Sequence, residues 1–236
     1  MRAVTGVGSL PFTELETALD FVFETCPQWP HLPELGAGMV ERGLGSGSLA
    51  SPVEGLPLGF VKRLQSSEAH GVKLQLCGPL TLSLCSPEKD APEHMEALSE
   101  RIFKTARLWR SQVAGPGLLL LDEPMLGEDP GPLKQLIAAL RAPDWKVGIH
   151  TCGSPPMGVL RALEMDLLSF DSVRYMHDYE QGGGFEGQVL WGAVSTDGQH
   201  TGAVGSGWVT PACGLALRDP AQARSVMAQV AALAEA

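Results

Sequence analysis

The sequence predicts an α/β fold, a (β/α)8 TIM barrel of near-minimal length, built as a single domain over residues 1–236. Three observations predict it. Short apolar, β-branched runs that end in Gly, Pro or an acidic residue alternate with stretches of helical periodicity, the signature of parallel βαβ units. Eight such runs occur. The chain has 236 residues, close to the lower end of what eight strands and eight helices require.

In chain order the predicted strands are AVTGVG (3–8), GMVE (38–41), VKLQLCGP (72–79), GLLLLDEP (117–124), KVGIHTCG (146–153), DLLSFD (166–171), VLWGAVST (189–196) and WVTPACG (208–214). Between them, Thr13 opens a helix through Thr25, with Glu16 three residues on completing a capping box. Residues 91–113 begin with Pro92 near the helix start and place Met95, Leu98, Ile102, Thr105 and Trp109 on one stripe. Pro132 opens a helix through Leu140, Pro156 one through Leu163, and Pro220 one that runs to the C-terminus. Two places fit the pattern least. The segment around GMVE is mostly turn chemistry, and GQHTGAVGSG (198–207) leaves little room for a helix before the last strand. A doubly wound open sheet is the alternative arrangement of the same elements. Gly43 to Ser48 is too short for an interdomain linker, which supports one domain.

Composition narrows the function. With 44% hydrophobic residues, a chain of this length buries a core that needs neither disulfide nor metal to hold it, so a metal here has to be argued as function. Seventeen basic against 27 acidic residues give a net charge of −10, which disfavours nucleic acid and anionic membrane surfaces as partners. No apolar run approaches the roughly 18 residues that span a bilayer, and MRAVTGVGSLPF has no signal-peptide core. A cytoplasmic protein is expected. The five cysteines, Cys26, Cys77, Cys85, Cys152 and Cys213, are an odd set that does not read as a disulfide framework.

Barrel enzymes keep their chemistry at the C-terminal ends of the strands. Here those ends carry Gly8-Ser9, Gln75-Leu76-Cys77-Gly78, Asp122-Glu123-Pro124, His150-Thr151-Cys152-Gly153, Asp171, Ser195-Thr196-Asp197 and Cys213-Gly214. Residues i and i+2 of a strand share a face, so His150 and Cys152 can grip one ion. With Asp171 and Cys213 from neighbouring strand ends they form an imidazole, two thiolates and a carboxylate, a donor set suited to zinc. The same spacing also fits a chance His-x-Cys pair with Cys213 in the core. Adjacent strand residues face opposite ways, so only one of Asp122 and Glu123 can face a pocket. His31 reads as a rim or packing residue; His70, His94 and His177 read as solvent-facing. Gly182 to Gly184 lacks the residues of a phosphate-binding loop.

The ordered pieces GVGSLPF (6–12), QWPHLPEL (28–35), CGPLTL (77–82), LLDEP (120–124), IHTCG (149–153), LLSFD (167–171) and VTPACGL (209–215) resemble the uroporphyrinogen decarboxylase/methionine synthase superfamily. Within it they are most similar to short, stand-alone relatives of the catalytic C-terminal half of cobalamin-independent methionine synthase. The resemblance implies zinc on His150, Cys152, Cys213 and, in place of the family's Glu, Asp171. It implies that Ser9, Asp122 and Glu123 hold an amino-acid thiol acceptor such as homocysteine. The family's catalytic His follows its seventh strand. The matching stretch here is Ser195-Thr196-Asp197 with His200 three residues on, which makes Asp197 and His200 the candidates for that role. CGPLTLSLC lacks the family's folate-side Trp, and the folate-handling N-terminal half has no counterpart, so the methyl donor is expected to be either a folate or a separate corrinoid protein. The implied activity is zinc-dependent methyl transfer to a small thiol. The competing readings are a metal-free decarboxylase-like barrel, disfavoured because only Arg2 precedes Arg42 in the N-terminal segment, and a non-catalytic or regulatory ligand-binding barrel.

Overall fold

Strands that are covered on both faces become nearly continuous apolar runs, and GLLLLD and LLSFD are of this kind. In the computed structural model, which describes residues 2–36, 53–87, 93–127 and 131–236, they lie in the middle of one parallel sheet. Its strands are β1 (Ala3–Val4), β2 (Val72–Cys77), β3 (Gly117–Asp122), β4 (Trp145–Thr151), β5 (Leu167–Asp171), β6 (Gln188–Val194) and β7 (Gly207–Pro211). The order is β1-β7-β6-β5-β4-β3-β2. Seven of the eight predicted strands are therefore present, and GMVE (38–41) lies outside the described residues.

Among the described residues the expected closed eight-stranded ring does not form. The sheet is a curled, seven-stranded parallel one, and β1 and β2 are its edges. Residues 30–34 run between those edges: Leu32 N–H donates to the Lys73 carbonyl at 3.1 Å, Lys73 N–H to the Pro30 carbonyl at 2.9 Å, and Glu34 N–H to the Gly8 carbonyl at 3.0 Å. Only isolated parallel bridges result, at Ser9–Glu34 and His31–Lys73. The reason is local, because Pro30 and Pro33 have no N–H to give to a regular ladder.

Eight helices accompany the sheet among the described residues: α1 (Leu15–Thr25), α2 (Leu58–Gln65), α3 (Pro79–Cys85), α4 (His94–Ser111), α5 (Gly131–Leu140), α6 (Met157–Ala162), α7 (Ser172–Gln181) and α8 (Pro220–Glu235). The capping box expected from Thr13 is absent; Glu14 is the N-cap of α1 and its side chain makes no cap bond. A capping box does start α8, where Asp219 accepts from Gln222 N–H. The buried stripe of α4 is His94, Leu98, Ile102 and Ala106, rotated from the expected one, so His94 is buried rather than solvent-facing. Between β6 and β7 there is a loop and no helix, as the short, Gly-rich connection suggested. No helix among the described residues is long and apolar enough to cross a membrane.

Sheet pleating sorts the core into two layers. Leu119, Leu121, Val147, Ile149, Leu168 and Phe170 belong to the large cluster shared with the helices. Leu118, Leu120, Leu167, Leu190 and Trp208 form a separate plug with Trp29. One pleat further along the same face, the plug gives way to Asp122, His150 and Ser169, which are cross-strand neighbours. An apolar floor thus lies beneath a polar layer at the C-terminal ends of the strands.

His31 fills the space between the sheet edges, 1% exposed. Its Nδ1 accepts from Gly6 N–H at 3.1 Å, and a side chain on Gly6 would overlap the ring. Burial, with the Lys73 charge beside it, pushes the imidazole down from 6.5 to about 3. The unfolded chain therefore binds one more proton than the fold between those two values, and stability falls as pH drops through that window. The expected loss is on the order of a few kcal/mol. Asn at position 31 retains an acceptor for Gly6 but does not titrate. Denaturant titrations of His31→Asn should show a flatter stability profile between pH 6.5 and about pH 5, where few carboxylates titrate. Equal slopes for both proteins would refute this.

Candidate metal centre

The last turns of β4 and β7 bring three sulfur and nitrogen donors together. His150 lies on β4 and Cys152, two residues on, just past its end, and the segment that follows β7 delivers Cys213 from 61 positions away. His150 Nε2 is 3.2 Å from Cys152 Sγ, and Cys152 Sγ is 3.5 Å from Cys213 Sγ. All three donor atoms lie within 4.8 Å of one another. Bonds of about 2.0–2.3 Å to a tetrahedral zinc place its ligand atoms roughly 3.5–3.8 Å apart, and the His150–Cys152 and Cys152–Cys213 separations lie within a few tenths of an ångström of that spacing.

His150 is 1% exposed, and its Nδ1 is 2.9 Å from Ser169 Oγ, the residue opposite it on β5. In the tautomer with the proton on Nδ1, the ring donates to Ser169 and its Nε2 lone pair points toward the sulfurs, the orientation that metal-binding histidines require. The two sulfurs lie within hydrogen-bond reach of each other. Hydrogen bonds from Cys152 and then His150 push Cys213 down to about 4, while the hydrogen bond to Cys213, reinforced by burial, pushes Cys152 up.

Asp171 is not among the three converging donors. It is the N-cap of α7: Oδ1 accepts from Arg174 N–H at 3.0 Å, and Oδ2 lies 3.7 Å from Arg174 Nε. Asp122 sits beside His150 on β3. Gln75 donates to its Oδ2 at 3.2 Å, while its Oδ1 is buried with no partner among the described residues. Burial raises the pKa of this carboxyl, and the nearby His150 and Lys73 work against that rise. Glu123 points to the other side and is fully buried. It accepts from Leu80 N–H at 3.0 Å, Thr81 N–H at 2.8 Å and Thr81 Oγ at 2.6 Å, closing the start of α3.

Ser9 is half-buried and packs against Gly214, where a side chain would overlap its Oγ; its carbonyl accepts from Leu215 N–H at 2.8 Å. Asp197 and His200 occupy the exposed β6–β7 loop. Asp197 Oδ1 accepts from Ser195 Oγ at 2.6 Å and Gln199 N–H at 3.0 Å. A cleft of ≈ 510 Å³ opens there and is lined by Asp171, Asp197, His200, Cys213 and two arginines, Arg174 and Arg218. The other three cysteines stand apart: Cys26 and Cys77 are buried and Cys85 is exposed.

Sequence reasoning placed Gln75 at a strand end but did not single out Ser169, Lys73 or Arg218. For the first two a signal existed. VKLQLC alternates Lys73 and Gln75 with leucines, a polar inner face on a strand covered on both sides, and Ser169 interrupts an apolar strand two residues before Asp171. Lys73 is 1% exposed and donates to the Val7 carbonyl and to Gln75, extending the polar layer from Asp122 into the interior.

Neither a family model nor a curated protein sequence matches the chain. Among solved structures, a methyltransferase from Methanosarcina mazei superposes with a TM-score of 0.63 at 14% identity, covering 100% of this chain and 94% of that one. At this identity the likeness is one of fold.

Proposed function

We propose that this protein is a zinc-dependent methyltransferase that activates a small thiol, homocysteine being the first candidate, at His150, Cys152 and Cys213. The observation that carries the reading is the convergence of one imidazole and two thiols on a single point at the polar end of a barrel-like sheet. The fold shared with a methyltransferase supports it.

Three protein donors leave a fourth position for substrate, the pattern of catalytic zinc sites. A zinc ion held there supplies a Lewis acid that lowers the pKa of a thiol presented to that position. The chain's own residues do the rest. Ser169 fixes the His150 tautomer. The unpartnered Asp122 Oδ1 offers a buried acceptor to a substrate ammonium group. Ser9 lines the rim beside Cys213. Asp171, engaged with α7, shapes the entrance and stands as an outer rather than direct partner of the metal. The methyl donor is a folate or a corrinoid protein that approaches from the open side.

A ligand-binding barrel without turnover is the second reading. It is favoured by the exposed loop position of Asp197 and His200 and by the commitment of Asp197 Oδ1 to Ser195 and Gln199. Cobalt-loaded protein separates the two. Cys152 and Cys213 themselves give cobalt a thiolate charge-transfer absorption; homocysteine should intensify and shift it, and an unchanged spectrum would defeat the thiol reading. If the spectrum changes but neither methylcobalamin nor methyltetrahydrofolate yields methionine, the protein binds without turning over.

A further inference from the structure

The inner face of β2 carries two polar side chains, Lys73 and Gln75, both buried and two residues apart, so they share that face. Lys73 Nζ donates to the Val7 carbonyl and to Gln75 Oε1, and Gln75 Nε2 donates to Asp122 Oδ2 at 3.2 Å. A chain of hydrogen bonds thus runs from Lys73 to the carboxylate beside His150. Its direction is fixed by chemistry, because an ammonium only donates and a carboxylate only accepts. Burial lowers Lys73 to about 8, and the Glu34 and Asp122 carboxylates work against that fall, so near neutrality it stays an ammonium. An amide between the two has one orientation that satisfies both, its oxygen toward Lys73 and its NH2 toward Asp122. Asp122 Oδ2 is then occupied. Oδ1 is the acceptor left over, shielded from solvent with no partner among the described residues. Two carboxylates, Glu34 and Asp122, act on the one ammonium of Lys73, which leaves a negative charge for a cation to meet at Oδ1.

We infer, resting on the thiol reading above, that Lys73 and Gln75 are positioning residues. Acting through Gln75, Lys73 locks Asp122 in the orientation that leaves Oδ1 to a substrate ammonium group, and so makes the site selective for an amino thiol over the same thiol without its amine. Without Lys73 the Gln75 amide is free to turn its oxygen to Asp122, and the carboxylate is free to swing toward His150, its cross-strand neighbour. Neither residue touches the substrate; each sets what the residue beyond it can accept.

The test uses the cobalt-loaded full-length protein and three probes: homocysteine; 4-mercaptobutyrate, which lacks only its amino group; and 2-aminobutyrate, which lacks only its sulfur. Affinities are read by calorimetry and, for the thiols, by the cobalt spectrum. The wild type should bind homocysteine about tenfold or more tightly than 4-mercaptobutyrate, the worth of one charge-assisted contact. Lys73→Met and Gln75→Leu should each erase most of that preference, with metal content and 4-mercaptobutyrate affinity unchanged. Lys73→Gln, which can still donate to Gln75, should keep part of it. A merely structural role would weaken both thiols alike. That result, or a preference that survives both Lys73→Met and Gln75→Leu in variants with wild-type circular dichroism, overturns the inference and leaves the thiol reading standing. Where the variants fail to fold, the wild type decides: the side-chain amide NMR signals of Gln75 should shift with homocysteine and not with 4-mercaptobutyrate, and equal shifts overturn the inference. If no thiol perturbs the cobalt spectrum but 2-aminobutyrate binds in a Lys73-dependent way, the positioning role holds and the thiol reading falls. If nothing binds, both fall.

Discussion

Protein isolated without chelators should contain about one zinc per chain, and Cys152→Ser should lose it on dialysis. Cys152 stands between the other two donors, 3.2 Å from His150 Nε2 and 3.5 Å from Cys213 Sγ, so a hydroxyl there leaves two donors that do not share a close contact through any third. Serine is also a much poorer ligand than thiolate for a borderline-soft ion. Ser169→Ala removes only the partner of His150 Nδ1, and should weaken zinc by about 10- to 100-fold, the usual cost of losing an outer hydrogen bond to a ligating histidine. Cys26→Ser is the control: that thiol is buried and pushed up to about 12 by its surroundings, and zinc content should not change. Asp171→Ala distinguishes cap from ligand. As a cap it should cost about 1 kcal/mol of stability with zinc retained. Elemental analysis after dialysis, with a chelator-competition titration, reads all four variants. Full zinc in Cys152→Ser would remove the metal centre.

The largest stability effect should come from Glu123→Ala, at about 3–5 kcal/mol. The carboxylate is fully buried, and three donors converge on it: Leu80 N–H, Thr81 N–H and Thr81 Oγ. Truncation strands all of them in a dry site, and α3 is only Pro79–Cys85, too short to hold its first turn without help. Such a loss is a substantial fraction of the 5–15 kcal/mol that typically holds a domain. Glu123→Gln keeps one acceptor and should fall between the two. Urea melts of the apo proteins measure this without any ligand. A loss below about 1 kcal/mol for Glu123→Ala would mean that α3 is held by other contacts.

The strands and the donors of the metal cluster were legible because each obeys a simple rule. A covered parallel strand is a continuous apolar run, and i and i+2 on a strand share a face, which pairs His150 with Cys152. The open edges of the sheet were not legible. The expected ring needed a second strand at 38–41, outside the described residues, and the segment that runs between β1 and β2 is the proline-interrupted 30–34, whose missing N–H groups give no strand pattern to read. The carboxylates were ambiguous for a different reason. Asp171 ends a strand immediately before a helix and Glu123 follows the end of one, and an acid at a strand end can serve a site or hold a helix start equally well by sequence. Only the directions of their oxygens, toward Arg174 and Thr81, decide what they now hold.

The order in which the pieces assemble follows from the topology. Pairings β2–β3, β3–β4, β4–β5 and β5–β6 join strands that are consecutive in the chain, whereas β1 meets β7 through only two residue pairs. Arg2 bonds to the Gly205 carbonyl across 203 positions. Closure of so long a loop returns little until many other contacts exist, so the N-terminal segment docks last and is the first to leave when the protein loosens. That segment carries Ser9, whose carbonyl holds Leu215 N–H and with it the turn that follows Cys213. The cysteine from the far end of the chain is thus steadied by the N-terminal segment itself, and the cluster of His150, Cys152 and Cys213 comes together only at the final step of folding.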